Sequence, residues 1–118
     1  MSGVESDASQ ALVSLIQWES RLDGLIGAAN RSDRYEGPPV FLGREAVRRV
    51  LQRCIMGEVD VLDLPRWART VHMLERVEIS EDDIDLLTQF LFEVSNPELF
   101  EPVTVEVCRR WIDLMERV

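Results

Sequence analysis

A chain of 118 residues, 46% hydrophobic and 30% charged, has the size and make-up of one soluble globular domain and leaves no room for two. Its net charge of −9 argues against a basic surface for nucleic acid or acidic membranes. No apolar run approaches the roughly 18 residues of a membrane span. The N-terminus also lacks the basic-then-apolar pattern of a secretory signal, so the cytoplasm is the expected location.

Residues 1–7 read as a flexible N-terminal tail and residues 8–118 as a single helical-bundle domain. The first predicted helix runs from Ala8 to Ala29. Its stripe is Ala11, Leu15, Trp18, Leu22, Leu25 and Ala29, at alternating steps of four and three. Asn30 to Leu42 reads as a loop, because Gly37 and Pro38-Pro39 do not continue a helix. A second helix, Arg44 to Met56, is apolar at Val47, Val50, Leu51, Cys54 and Ile55, and Gly57 is placed to end it in the left-handed conformation.

Asp63 is the expected N-cap of a third helix, with Pro65 in its first turn and Leu64, Trp67, Ala68, Val71 and Leu74 as its stripe up to Val77. Ser80 is the expected cap of a fourth, with Asp83 three residues on as a near capping box, and with Ile84, Leu87, Phe90, Leu91 and Val94 inward. Asn96-Pro97 breaks the pattern. Thr104 then caps a last helix with Val107, Cys108, Trp111, Ile112 and Met115 on one face. With no strand and no repeat in sight, the predicted class is all-α, a bundle of four to five helices.

Charge is unevenly spread. Residues 1–59 carry a net −1 and residues 60–118 a net −8, and the stretch from Val77 to Cys108 holds nine carboxylates and no basic residue. Some of these acids sit where a helix dipole favours them, Glu81, Asp82 and Asp83 in one first turn and Glu98 and Glu106 early in theirs. The missing counter-charge over so long a stretch is not explained that way. Glu78, Glu81, Asp82, Asp83 and Asp85 are therefore the candidate partner-binding residues, facing a basic protein.

Catalytic chemistry finds no constellation. The only histidine, His72, lies on a helix flank, and there is no phosphate-cradling glycine loop and no CxxC. A zinc site from Cys54, Cys108, His72 and a carboxylate would draw on separate elements without a close-spaced ligand pair. A helical di-metal site would want Glu-x-x-His, and Arg69 stands in the Glu place before His72. The expectation is no enzyme, no metal and no cofactor. Both cysteines fall on apolar stripes, and the sequence leaves their pairing open.

Two alternatives stay in view. One is a DNA-associated regulator using the 44–77 helix pair, with Arg66, Arg69 and Arg76 on the second helix. Against it, the Gly57–Asp63 link is longer than a helix-turn-helix turn and carries Glu58, Asp60 and Asp63. The other is a structural self-associating protein, in which the ridge Arg44, Arg48, Arg49 and Arg53 meets the acidic stretch of another copy.

"GEVDVLDLPRWA" (57–68), "SNPELFEPVT" (95–104) and "CRRWIDLM" (108–115) together resemble small acidic all-helical bacterial proteins of the immunity type, colicin D immunity protein-like bundles among them. The resemblance spans about residues 44–115 and lies in arrangement: a glycine turn, a capped Trp-Ala helix, an Asn-Pro link and a Thr-capped last helix. It carries no family binding residue to a position here. It implies a non-enzymatic inhibitor that covers the basic active-site surface of a toxin domain with an acidic one.

Overall fold

The computed structural model describes residues 3–117, with side chains from Ser9 onward. Six α-helices are found among them: α1 (Gly3–Gln17), α2 (Leu22–Ser32), α3 (Arg44–Ile55), α4 (Leu64–Met73), α5 (Ile84–Val94) and α6 (Val105–Arg117). Two short strands, β1 (Val40–Leu42) and β2 (Val77–Ile79), pair in parallel, so the fold is mostly helical but not a pure bundle. Of the expected 1–7 tail, Met1 and Ser2 lie outside the described residues, and α1 begins at Gly3.

The single helix expected over 8–29 is two helices. Trp18 takes φ of +50°, a left-handed conformation that costs a non-glycine residue about 1–2 kcal/mol. It closes α1 as a Schellman turn would: the Trp18 N–H donates to Leu15 O (3.0 Å) and the Glu19 N–H to Ser14 O (3.1 Å). Tertiary contacts hold the turn. The Trp18 ring is buried and stacks on Trp67, centroids 6.1 Å apart. Trp67 Nε1 donates to Leu15 O (2.7 Å), and Arg53 Nη1 donates to Gln17 O (2.9 Å) and Trp18 O (2.6 Å). The guanidinium thus caps the carbonyl end of α1, where the helix dipole favours a cation.

At the glycine corner after α3 the expectation holds. Gly57 has φ of +77°, its N–H donates to Cys54 O, and the Glu58 N–H reaches Arg53 O (2.9 Å). The cap after it differs from the expected one. Asp60, not Asp63, accepts a backbone hydrogen bond (from Leu62 N, 2.9 Å), capping a 3-10 turn over Val61–Asp63 that runs into α4. Asp63 makes no side-chain cap.

α4 stops at Met73 rather than Val77, because Val77–Ile79 turns into β2, register Val40 with Val77. Val40 N donates to Arg76 O (2.8 Å) and Ser80 N to Leu42 O (2.9 Å). Three residues are too few for a period-two signal, and the partner strand is far away in sequence, so neither strand shows in local pattern.

The helices pack as α1 with α2, α4 with α5, and α3 with α6. Trp67 and Phe90 are fully buried, and Phe90 meets Trp111 of α6 edge-on at 5.3 Å. Cys54 of α3 and Cys108 of α6 are both buried free thiols. The influence of the Cys108 thiol, together with burial, pushes the Cys54 thiol well above its ordinary range. Thr104 Oγ1 accepts from Val107 N (3.2 Å), the cap expected for α6.

Candidate partner-binding surface

The five candidate acids lie on β2, on a 3-10 turn over Glu81–Asp83, and on the first turn of α5. Ser80 leads into that turn with extended backbone, but its side chain makes no capping bond. Glu78, Glu81, Asp82 and Asp85 are exposed. Among the described residues none of these four forms an ion pair.

Asp83 is different. It is only 9% exposed, and its carboxylate faces inward to Arg44 at the start of α3. Oδ2 accepts from the Arg44 backbone N–H (3.1 Å). Oδ1 accepts from Arg44 Nε (2.8 Å) and pairs with Nη2 (2.7 Å). Arg44 Nη1 also donates to Met115 O (3.0 Å), so the pair ties α3, α5 and α6 at one point. Burial pushes the Asp83 carboxyl up, but hydrogen bonding and charge from Arg44 outweigh it and hold the group below the usual carboxylate range. The structure therefore brings Glu81, Asp82 and Asp85 together on the outside and places Asp83 in the interior.

Much of the basic ridge of α3 is committed within the molecule as well. Arg48 pairs with Glu45 (2.7 Å), with Arg49 3.6 Å from the same carboxylate, and Arg53 pairs with Glu58 (3.2 Å) besides capping α1. On α4 and just after it, Arg66 pairs with Asp23 and Arg69 donates to Ser95 O (2.8 Å). Arg76 is 8% exposed and donates to Ser32, Ser9 and Pro38 oxygens. Base reading by α4 would need these side chains released. His72 is exposed on α4. Among the described residues, no three His, Cys, Asp or Glu side chains are grouped to hold a metal ion. No helix among them is long and apolar enough to cross a membrane.

One part of this surface was not anticipated. Ile84, expected inward, is 48% exposed, and Phe92, Leu99 and Phe100 are 47%, 68% and 46% exposed. Phe92 lies off the buried stripe of Leu87, Phe90, Leu91 and Val94, which is the one sequence signal that could have found it. Its ring meets Phe100 edge-on at 5.4 Å, across the link that follows α5. Asn96 Nδ2 donates to Phe92 O (2.7 Å) and holds that link at the helix end. Compared with known proteins, the chain matches no family model, no curated protein and no solved structure.

Proposed function

We propose that this chain is a non-enzymatic interaction module, an immunity-type inhibitor whose acidic face at Glu78, Glu81, Asp82 and Asp85 binds a basic protein partner such as a toxin domain. The supporting observation is that these four carboxylates are exposed with no ion pair among the described residues, whereas Asp83 and most of the arginines of α3 and α4 are engaged internally. An acidic surface left uncompensated by its own fold raises the rate and selectivity of encounter with a cationic surface. The expected site of action is the cytoplasm.

The test is affinity capture from the source cell with the natural chain and with a variant carrying Glu78→Arg, Glu81→Arg, Asp82→Arg and Asp85→Arg. Asp83 is left intact, because reversing it would place two cations against each other in the interior. The expected result is a basic protein retained by the natural chain and lost from the variant. Equal retention by both removes this surface assignment.

A further inference from the structure

The outward side of α5 has a pattern that bare acidity does not require. Ile84, Thr88 and Phe92 stand four residues apart, so they form one column along the helix. Ile84 and Phe92 mark its ends, about 12 Å apart at 1.5 Å per residue. Both are half-exposed: Ile84 borders the buried stripe of Leu87, Phe90, Leu91 and Val94, and Phe92 lies farther round on the outward side. Beyond Phe92 the apolar surface continues into Phe100, edge-on to it, and Leu99. Exposed aromatic and aliphatic side chains grouped in this way, rimmed by charge, mark interaction sites more often than inert surface.

The rim gives the sign of the partner. Asp85 adjoins the Ile84 end, Glu81 and Asp82 precede it, and Glu98 is exposed beside Leu99. The whole stretch from Val77 to Cys108 contains no basic residue. The cations that border it are engaged: Arg76 is buried and donates to Ser32, Ser9 and Pro38 oxygens, and Arg109 and Arg110 pair with Glu106 and Glu101. The shape gives the partner's element: a two-turn ridge inclined to the α5 axis, apolar at both ends, is matched by ridges at four-residue spacing on a second helix crossing it.

We infer that the outward face of α5, from Ile84 to Phe92 and on to Leu99 and Phe100, docks a cationic amphipathic helix of the partner protein. Apolar side chains of that helix at i, i+4 and i+8 lie along the Ile84–Phe92 column. Its lysines or arginines meet Glu81, Asp82 and Asp85. This inference rests on the acidic-surface reading and adds to it the partner's element and its apolar anchor.

Two fluorescent synthetic helical peptides of identical leucine, lysine and alanine content test it on the full chain, one with leucines at i, i+4 and i+8 and one with leucines scattered around the helix. Anisotropy titrations at about 0.15 M salt are run with the natural chain, with Phe92→Ser, with Leu99→Ser, and with the neutral triple variant Glu81→Gln, Asp82→Asn, Asp85→Asn. Circular dichroism confirms that each variant is folded, and Leu99, 68% exposed, is the change least able to disturb the core.

The patterned peptide is expected to bind at least about tenfold more tightly than the scattered one, and each serine change to weaken it by about tenfold or more. Equal binding of the two peptides, no binding of either, or indifference to both serine changes overturns the inference. If the neutral triple variant alone abolishes binding, the acidic reading stands and the apolar anchor falls. If the triple variant binds unchanged, the acidic reading falls with it. Light scattering that shows a dimer dissolved by Phe92→Ser would make a second copy the occupant, which also overturns the inference.

Discussion

Gly57 and Asp83 are single residues whose roles reduce to one physical cause each. At Gly57 the backbone has φ of +77° and a Cβ would meet nothing within 4 Å, so only conformation is at stake. Gly57→Ala is expected to lower stability by about 1–2 kcal/mol, read as a lower urea midpoint with an unchanged slope. Asp83 carries a partly buried ion pair to Arg44, and Asp83→Asn removes the carboxylate charge from that pair. The expected cost at neutral pH is about 2–3 kcal/mol. The sign with pH follows from its lowered pKa. Because the folded carboxyl titrates below the unfolded one, its contribution is complete above about pH 4 and is lost as pH falls through the lower folded value. The gap between the natural chain and Asp83→Asn should therefore narrow on acidification, which urea melts between pH 7 and pH 3 would measure.

Among the elements, the α1–α2 corner shows where sequence pattern misleads. The apolar stripe from Ala11 to Ala29 runs through it unbroken in phase, and Trp18 carries no sequence sign of a left-handed turn. What makes the turn is Trp67 and Arg53, both distant in sequence. Arg53→Gln is expected to cost about 1–2 kcal/mol and to shift tryptophan emission, because the Trp18–Trp67 stack loses its clamp. A second element-scale expectation concerns α3 and α6. Cys54 and Cys108 are buried, and Cys54 is held firmly in its thiol form. Both should resist Ellman's reagent in the folded chain and react fully in urea; rapid reaction of either before unfolding contradicts the packing.

At the scale of the whole molecule, what was legible is what local pattern encodes. The stripes of the second and last helices, the Gly57 turn and the Thr104 cap follow from residues within a turn or two of one another, and each is found. The strand pair Val40–Leu42 with Val77–Ile79 and the Arg44–Asp83 pair join positions nearly forty residues apart, and no local pattern announces them. The candidate surface divides the same way. Acidity was visible along the chain, so Glu81, Asp82 and Asp85 could be named. Which carboxylate turned inward, and that Phe92 and Phe100 would meet outside, depended on how the helices came together.

The packing of α3 against α6 has a consequence for how the protein is made. α3 leaves the ribosome about fifty residues before α6 begins, which at about 5–20 residues per second is an interval of several seconds. Through that interval the stripe of Val47, Val50, Leu51 and Cys54 lacks the helix that covers it. A nascent chain arrested after Val103, with the tunnel filled by a linker, should stay protease-sensitive within α3. The same chain extended through Arg117 should become resistant, its middle closed only by the last helix described.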